Sequence, residues 1–560
     1  MRSKMIRADK RYLLLPIGDS GGWFLPVEKT QYLGIYRNGE LLEEHELILD
    51  PAPRTWSCLF LDRYQGEELE LRLEGGDESC IDLLEVSDTL KDQETLYQEP
   101  TRPLAHITPM HGFMNDPNGL FYHKGEYHFF AQLNPYGFGV GNTHWMHAVS
   151  RDLVHWKELP YALIPDQDGR MYSGGGIVDW ENRSGLGNGK EPPIFLFYTP
   201  AGSKTRWSRG RYFEIAAAYS LDGGRTFVKY EENPIVPHIS FMNRDPKVVW
   251  EPEGENWVMA IFLDNSRYML LYSKDLLHWE EGQVLSIQGA AECPDLFCLP
   301  LDGDPDKKKW ILWGSTDNYL VGRFEGRRFI PETEAVPGPI HSIYSAYSEF
   351  ARSPGGYAAQ TFTGLPEDRV IQFSWMRTRV ESGPFSSCMS VPNEMRLVTT
   401  KQGPRLALWP AEEVSALWEN SFSFENRGLE EIERIPSTSM GEAMDMTFRL
   451  GITPGKVMAL SVRGVLMVYD PTSGHLLLPT GAYDLGLDKE EKILELRVIT
   501  DRCSMEIYAN GGLFNASIAT VLDPAKTQVF PVYLDPSIAV DFEIHKLKSM
   551  WEEPIPNQTL

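Results

Sequence analysis

The ten residues from His111 to Leu120 contain the first carboxylate with a sequence context suited to catalysis. They read His-Gly-Phe-Met-Asn-Asp-Pro-Asn-Gly-Leu, with Asp116 at the start of a tight turn over residues 117–119. Proline fixes one backbone dihedral and glycine permits positive φ, so this turn should hold the carboxylate stiffly. Strand-like segments follow at 120–122 and 126–132, and rigid turns at strand ends commonly position catalytic groups. Taken alone, however, Asp-Pro-Asn-Gly is more typical of an ordinary turn.

Two further carboxylates stand in short motifs downstream, Arg244-Asp245-Pro246 and Glu292-Cys293-Pro294. Together with Met114–Gly119, and in this order, they resemble the signatures of glycoside hydrolase family 32. That family contains the β-fructofuranosidases, namely invertases, inulinases and levanases. The resemblance covers roughly residues 100–550 and implies a five-bladed β-propeller with its active site in a funnel at the propeller axis.

The resemblance also implies a role for each carboxylate. Asp116 corresponds to the nucleophile and Glu292 to the general acid/base, and retaining hydrolysis needs two such groups about 5–5.5 Å apart. Asp245 corresponds to the carboxylate that binds the ring hydroxyls and stabilises the oxocarbenium-like transition state. Three neighbouring carboxylates cannot all ionise cheaply, so one should keep its proton and serve as acid. Because Arg244 adjoins Asp245, we expect that carboxylate to be ionised.

A fructosyl ring is small and rich in hydroxyls, so its pocket needs amides, hydroxyls and an aromatic wall. The positions that match the family's substrate contacts are Asn115, Gln132, Trp145, Tyr172, Ser173, Arg244 and Trp375. Gln132, Trp145 and Ser173 are the strongest of these candidates. Trp375 is the weakest, since Trp-rich strands usually belong to a core. No metal site and no cofactor is predicted.

The sequence departs from the family around the pocket. Phe113 stands where the family usually has Trp, and Val140 falls where another Trp is frequent. Ala131 and Leu133 replace the aromatic residues that commonly flank the pocket glutamine. Met146 replaces a Gly, and Tyr172-Ser173-Gly174-Gly175 replaces Phe-Ser-Gly-Ser. These changes affect the surface that receives the leaving sugar, so they bear on the substrate and leave the reaction unchanged.

The first 100 residues are predicted to form a small β-sandwich-like domain. Residues 37–40, Arg-Asn-Gly-Glu, have a hairpin-turn sequence between two strand-like segments. The region resembles the N-terminal β-sandwich of some levanase-like members of the family. It contains no catalytic cluster, and we assign Trp23 and Trp56 to packing in preference to carbohydrate binding.

Residues 101–409 repeat themselves in the manner of a β-propeller. Ser150–Trp156 (Ser-Arg-Asp-Leu-Val-His-Trp) recurs as Ser273–Trp279 (Ser-Lys-Asp-Leu-Leu-His-Trp). Between them, Ser220–Phe227 has the Ser-x-Asp-x-Gly-x-Thr-aromatic form of an Asp-box turn. Recurrent strand–turn–strand units favour a propeller, here with five blades by the resemblance. The His and Trp of these repeats are predicted to brace the blades.

The last part of the chain reads as a connector followed by a second all-β domain. Residues 410–437 are predicted to be a linker with a short helix, since Pro410 is typical of a helix start. Residues 438–560 are predicted to form a C-terminal β-sandwich. Its Asp501–Tyr508 segment resembles a family signature and is predicted to be structural.

Composition restricts the partners. A chain of 560 residues suggests two to four domains, and a formal net charge of −26 disfavours nucleic acid and anionic membranes as partners. The six cysteines form neither a dense disulfide framework nor a zinc-ligand pattern, which favours free thiols in a reducing compartment. The apolar run 12–17 is short and contains Pro16, and no run of 18 apolar residues exists, so we expect a cytoplasmic protein. The sequence does not indicate an oligomeric state.

These observations predict an all-β, retaining glycoside hydrolase that acts on β-fructofuranosidic bonds. Its substrates would be fructans or fructo-oligosaccharides of levan or inulin type, with sucrose as a further candidate, attacked from the chain end. A fructosyltransferase on the same scaffold is an alternative, and a carbohydrate-binding propeller without activity is another. The Met-Asn-Asp-Pro-Asn-Gly and Glu-Cys-Pro motifs argue against the related five-bladed enzymes that hydrolyse arabinan or xylan by inversion.

Overall fold

The computed structural model of the protein is built almost entirely of β-strands. It describes residues 1–19, 21–26, 28–340, 356–427, 440–487, 491–533, 535 and 540–551. In these ranges no helix has the length and apolar character that crossing a membrane would require. The expectation of an all-β protein is confirmed.

The N-terminal region packs two small antiparallel sheets over a core of leucine and isoleucine side chains. The predicted hairpin is confirmed, because Asn38 and Gly39 adopt positive φ and Arg37 pairs with Glu40 across the turn. The sheet orders are β1-β6-β3-β4 and β5-β2-β7, with bounds β1 Arg2–Arg7, β2 Tyr12–Ile17, β3 Gln31–Arg37, β4 Glu40–Leu47, β5 Thr55–Phe60, β6 Glu68–Glu74 and β7 Glu85–Ser87.

The central region contains five antiparallel units of four strands within the described residues. The first three units are β8 Gly112–His123, β9 Glu126–Asn134, β10 His144–Ser150 and β11 Lys157–Leu163; then β12 Arg170–Val178, β13 Ile194–Ala201, β14 Ala216–Ser220 and β15 Val228–Lys229; then β16 Arg244–Glu251, β17 Asn256–Asp264, β18 Arg267–Ser273 and β19 Glu280–Ser286. The last two are β20 Asp295–Leu301, β21 Asp304–Trp313, β22 Asn318–Phe324 and β23 Phe329–Pro331, with the short β24 Val336–Pro337; then β25 Tyr357–Thr361, β26 Ile371–Trp375, β28 Asn393–Thr400 and β29 Gly403–Pro410, with β27 Phe385–Ser386 pairing onto β8.

The first strands of the five units form a closed ring. Strand β8 contacts β12, β12 contacts β16, β16 contacts β20, β20 contacts β25, and β25 contacts β8 again. A closed ring of inner strands is the defining feature of a propeller, so the predicted five-bladed architecture is confirmed.

The repeated turns at Ser150–Trp156 and Ser273–Trp279 connect outer strands of the blades. Asp152 accepts hydrogen bonds from the His155 main chain at 2.9 Å and ring at 2.7 Å, and Asp275 holds His278 at 2.8 Å in both contacts. These side chains bond within their own turns, which agrees with the structural role assigned to them.

The C-terminal region packs a six-stranded sheet against a five-stranded sheet around one apolar core. The short helix expected after Pro410 is present as the 3-10 helix Glu412–Leu417. The sheet orders are β30-β40-β31-β36-β37-β38 and β35-β34-β33-β32-β39, with bounds β30 Trp418–Arg427, β31 Met444–Gly451, β32 Met458–Val462, β33 Val465–Asp470, β34 His475–Leu478, β35 Gly481–Asp484, β36 Ile493–Thr500, β37 Met505–Ala509, β38 Phe514–Ile518, β39 Val529–Tyr533 and β40 Val540–Leu547.

One boundary expectation needs correction. Residues 418–427 lie inside the predicted 410–437 linker, yet they form strand β30, which pairs along its length with β40. Alternating serines and phenylalanines give this segment one apolar face, and pairing lets it bury Phe422 and Phe424 against the sandwich core. The remainder of the predicted linker, 428–437, lies outside the described residues.

Candidate active site

The beginnings of the five inner strands place the predicted catalytic residues at one end of the propeller axis. Asp116 lies on β8, Ser173 on β12 and Asp245 on β16. Glu292 lies three residues before β20, and Tyr357 begins β25. Each blade therefore supplies at least one polar group, although these groups are up to 241 residues apart in sequence.

Asp116 is fixed by its neighbours on both carboxylate oxygens. The Ser173 hydroxyl donates to Oδ2 at 2.8 Å, and the Asn115 amide donates to Oδ1 at 3.3 Å. Burial and the nearby charge of Glu292 raise the pKa of Asp116, while the Ser173 and Asn115 hydrogen bonds act in the opposite direction. The result is a carboxylate that is held in one orientation and poorly solvated, as a nucleophile requires.

The amide and hydroxyl side chains around Asp116 are also hydrogen-bonded to one another. Gln132 donates to the Ser173 hydroxyl at 2.6 Å and accepts from the Asn115 amide at 2.6 Å. Asn115, Gln132 and Ser173 thus form a closed polar network around Asp116. The structure brings these three predicted contacts together at the site.

Asp245 is almost fully buried, 5% exposed, and sits at a backbone φ of +62°. Its Oδ2 accepts the Cys293 main-chain N–H at 3.0 Å, and its own N–H donates to the Thr199 hydroxyl at 2.9 Å. A non-glycine residue in this left-handed region costs of order 1–3 kcal/mol and persists where surrounding contacts enforce it. The strain fixes the direction in which the carboxylate points.

Glu292 bonds through both oxygens to residues of other blades. Arg244 donates to Oε1 at 2.7 Å, and the Tyr357 hydroxyl donates to Oε2 at 2.6 Å. Glu292 and Cys293 both have positive φ, +42° and +35°, so the turn before β20 is strained like that at Asp245. The side chain keeps 31% of its surface exposed, which leaves room for a sugar oxygen beside it.

The expected effect of Arg244 differs from what the structure shows. Its guanidinium extends past Asp245, with Nε 3.6 Å from Oδ2, to form its shorter ion pair with Glu292. Burial therefore raises the pKa of Asp245 to about 7 in spite of Arg244, and the charge of Glu292 raises it further. Asp245, which we expected to be ionised, can therefore hold a proton near neutral pH.

Trp145 does not line the pocket, which corrects one of the predicted substrate contacts. Its side chain is fully buried and packs under the β8 turn, where Gly119 leaves space for the indole. A Cβ at Gly119 would lie only 2.9 Å from the Trp145 ring. The indole N–H donates to the Tyr172 carbonyl at 3.2 Å, so Trp145 positions Tyr172, whose ring is partly exposed, and Phe213 packs against that ring.

Trp375 is 8% exposed and forms part of an aromatic cluster beside Glu292. Its ring lies 6.3 Å from Tyr357 and 5.9 Å from Phe113, and its N–H donates to the Ser387 hydroxyl. The structure therefore places it next to the site, mainly as support for Tyr357.

Three further residues at the site were absent from the sequence-based set. Cys293 Sγ lies 3.7 Å from an oxygen of Asp116 and 3.5 Å from one of Asp245, so it bridges the two carboxylates. Tyr357 bonds Glu292, as described above. Arg377 lies over the Tyr357 ring at 4.4 Å, and its charge lowers the pKa of Asp116. The Glu-Cys-Pro motif already contained Cys293, whereas no short motif marks Tyr357 or Arg377.

Such an arrangement can perform acid-assisted nucleophilic displacement. One carboxylate is oriented for attack, another is bonded to a tyrosine and an arginine, and a third is buried between them. Among the described residues no cluster of His, Cys, Asp and Glu has the geometry to hold a metal ion.

The sequence is similar to a known protein family and to several characterised proteins. The model of the glycosyl hydrolases family 32 N-terminal domain matches residues 106–410. The levanase of Bacillus subtilis is 31% identical over 501 residues, which cover 81% of this chain and 72% of the levanase. An extracellular exo-inulinase of Aspergillus niger is 28% identical over 532 residues, covering 81% of this chain and 96% of that protein.

A solved structure extends the similarity to three dimensions. The crystal structure of exo-inulinase from Aspergillus awamori superimposes with a TM-score of 0.67 at 25% sequence identity. The match covers 81% of this chain and all of that one.

Proposed function

The chain belongs to glycoside hydrolase family 32, and on this premise we propose that it is a β-fructofuranosidase that cleaves fructans. Levanase and exo-inulinase are the activities that name its similar relatives, which supports fructose-containing polysaccharides and oligosaccharides as substrates. The proposal includes release of fructose from the chain end with retention of configuration.

The observation that carries the proposal is the assembly of Asp116, Asp245 and Glu292 in one pocket. Arg244 joins Asp245 to Glu292, and Cys293 lies between Asp116 and Asp245. A binding protein would gain nothing from gathering three carboxylates at one site, since their mutual repulsion and partial desolvation cost free energy. An enzyme that needs a nucleophile, an acid and a transition-state stabiliser does gain from it.

In the proposed reaction Asp116 attacks the anomeric carbon of the fructosyl ring. Glu292 protonates the departing sugar oxygen, and then deprotonates the water that hydrolyses the fructosyl ester on Asp116. Hydrogen bonds from Tyr357 and Arg244 to its two oxygens hold the Glu292 side chain in one orientation. Asp245 binds ring hydroxyls, and in its ionised form it stabilises the positive charge that develops at the transition state.

The test is a product analysis with the purified chain. We expect free fructose as the first product from levan, inulin or kestose, measured by anion-exchange chromatography over a time course. Asp116→Asn should retain its thermal melting profile and lose at least about a thousandfold in turnover, as expected for a missing nucleophile. A wild-type protein that releases no fructose from any of these substrates or from sucrose contradicts the proposal. Fructose chains longer than the substrate would instead identify a fructosyltransferase.

We also propose a reducing compartment such as the cytoplasm for this chain. The six cysteines form no dense disulfide framework in the sequence, and the Sγ atoms of Cys388 and Cys503 lie 3.8 Å apart in the buried interior. Proteins of oxidising compartments usually convert such neighbouring pairs into disulfides. Mass spectrometry of thiols alkylated during cell lysis tests this, since an oxidised Cys388–Cys503 pair would contradict it.

A further inference from the structure

Two positions at which the sequence lacks the family's usual tryptophans, Phe113 and Val140, both contact a tryptophan from the N-terminal region. The Trp23 ring lies 5.3 Å from the Phe113 ring, edge to face at 86°. The Trp23 carbonyl accepts the Val140 main-chain N–H at 2.8 Å. A segment outside the propeller thus supplies a tryptophan next to the two propeller positions that lack one.

Trp23 also connects to the candidate acid through two aromatic rings. It lies 6.3 Å from Trp375, which lies 6.3 Å from Tyr357, whose hydroxyl bonds Glu292 at 2.6 Å. Trp23 is therefore on the Glu292 side of the pocket, which is the side from which the leaving sugar departs.

Exposure distinguishes Trp23 from the rings around it. Phe113 is 2% exposed, Tyr357 4% and Trp375 8%, whereas Trp23 remains partly exposed. The three buried rings can support a wall, and Trp23 is the member of this group with a face available to a ligand. The next residue, Phe24, is 73% exposed.

The Trp23 segment, defined here as Gly21–Pro26, is held against the propeller by specific contacts. A Cβ at Gly139 would lie 2.4 Å from the Trp23 carbonyl oxygen, so this close approach requires glycine at Gly139. Just beyond the segment, Arg54 bridges the two regions by pairing with Asp19 at 3.2 Å and donating to the Val380 carbonyl at 2.8 Å. Such contacts place the indole in advance of binding, which lowers the entropic cost of using it.

We propose that Trp23 is a substrate-binding residue that packs against a sugar unit on the leaving-group side of the scissile bond. The inference rests on the proposed β-fructofuranosidase activity. Its ligand class is the oligosaccharide portion of a fructan, whose C–H faces suit an indole surface, and the N-terminal region thereby forms part of the active-site rim. This assignment replaces the packing role given to Trp23 on the basis of sequence.

The experiment compares Trp23→Ala with Trp56→Ala, a change at another partly buried tryptophan of the same region that packs away from the site, against Tyr12 and Phe60. Two kinds of substrate are used. Kestose and nystose have a leaving sugar, whereas β-fructofuranosyl fluoride has none and reports only on the fructosyl pocket and the catalytic carboxylates.

We expect Trp23→Ala to lower kcat/KM for the oligosaccharides roughly three- to tenfold, mainly through KM, as loss of one aromatic contact predicts. The rate on the fluoride should change less than about twofold, Trp23→Phe should recover much of the loss, and Trp56→Ala should leave both substrates unaffected. Thermal melting of each variant is measured alongside.

An equal loss on the oligosaccharides and the fluoride overturns the inference, because it means that Trp23 only supports the fold of the pocket. No loss on either substrate overturns it as well. The proposed activity is judged separately on the wild-type protein: absence of turnover with the fluoride and the oligosaccharides removes the activity, and the role of Trp23 with it.

Discussion

Arg244 is a cation that contacts two of the three carboxylates, Glu292 and Asp245. It forms its close ion pair with Glu292 at 2.7 Å and a longer one with Asp245 at 3.6 Å. Both contacts are largely buried, so neither is strongly screened by solvent. A sugar hydroxyl that binds between these groups would replace one of the contacts of Arg244. Substrate binding would therefore change the electrostatic environment of Glu292, the proposed acid.

Glu292→Gln tests the acid/base role at the level of one atom. A general acid matters most when the leaving group is a poor one, so the variant should lose roughly 10²–10⁴-fold on natural fructosides. It should keep most of its first-step rate on β-fructofuranosyl fluoride, because fluoride leaves with little assistance. The fructosyl ester on Asp116 should then accumulate, since no base activates water. Steady-state rates on both substrates and rapid-quench mass spectrometry check these outcomes.

Azide provides the control for that prediction. It attacks without a base, so it should accelerate turnover by Glu292→Gln and yield fructosyl azide of retained configuration. Asp116→Asn, which lacks the nucleophile, should show no such rescue. If natural and activated substrates lose rate equally and azide has no effect, Glu292 is not the acid/base.

Asp245 should lower the stability of the fold as the pH rises. Its pKa is about 7 in the folded chain, whereas an unfolded aspartate titrates near about 3.9. Between these values the folded state binds more protons, so this contribution to stability is present below about pH 4 and is lost progressively up to about pH 7. Asp245→Asn cannot titrate, and its melting temperature relative to wild type should rise by about 2–5 °C from pH 4 to pH 8.

Asp152 is the control of opposite sign. Hydrogen bonds within its turn, led by that from the His155 ring, outweigh burial and lower the pKa of Asp152 to about 2, so its contribution to stability is present above about pH 4 and lost below it. Asp152→Asn should therefore melt below wild type at pH 8, with a difference that narrows in acid. A melting difference for Asp245→Asn that does not depend on pH would show that Asp245 is charged in the folded protein.

At the scale of strands and turns, the sequence identified features whose causes are local. The Asn38-Gly39 hairpin and the repeated turns at Ser150–Trp156 and Ser273–Trp279 depend on side chains within a few residues of one another, so each pattern can be recognised in one stretch of sequence. The three catalytic motifs are local in the same sense, since each turn positions its own carboxylate. This is why the fold class and the carboxylate set could be predicted.

Contacts between residues that are far apart in sequence could not be predicted from local sequence patterns. Tyr357 and Glu292 lie 65 positions apart, and only closure of the inner-strand ring brings them together. The sequence around Trp145 predicts a substrate contact. In the structure its ring instead packs against Gly119, where the absence of a side chain leaves room for it. Segment 418–427 contains the alternation Ser-Phe-Ser-Phe between polar flanks, and whether it forms a strand depends on pairing with β40 far away in sequence. In each case tertiary packing overrides the local signal.

At the scale of the whole molecule, the propeller and the C-terminal sandwich are joined by a buried charged cluster. His106 Nδ1 lies 2.7 Å from Asp501 and Nε2 lies 3.0 Å from Glu506. Asp501 also accepts the main-chain N–H groups of Leu104 and Ala105 at 2.9 and 2.8 Å. The predicted structural role of the Asp501–Tyr508 segment follows from these bonds, because it attaches the sandwich to the chain that enters the propeller.

The pH dependence of this cluster follows from its two shifts. Hydrogen bonds and charges from Asp501 and Glu506 outweigh burial and raise the pKa of His106 well above its usual value. Its stabilisation is therefore complete below about pH 6.5 and is lost only as the pH passes the raised pKa. The His106 bond lowers the pKa of Asp501, so that contribution is present above about pH 4 and is lost in acid. The cluster should be strongest from mildly acid to neutral pH.

His106→Ala removes the cation that contacts both buried carboxylates. Breaking a buried pair in this way typically costs about 3–5 kcal/mol, whereas an exposed pair contributes less than about 1 kcal/mol. The matched control is His278→Ala, because His278 pairs with Asp275 at 2.8 Å but is 82% exposed. Urea unfolding at pH 6.5 should show a large loss of stability for His106→Ala and almost none for His278→Ala. The loss should diminish as the pH falls towards 3, because Asp501 then becomes neutral in the variant. Equal, small losses for both variants would mean that the apolar contacts between propeller and sandwich hold the two together without this cluster.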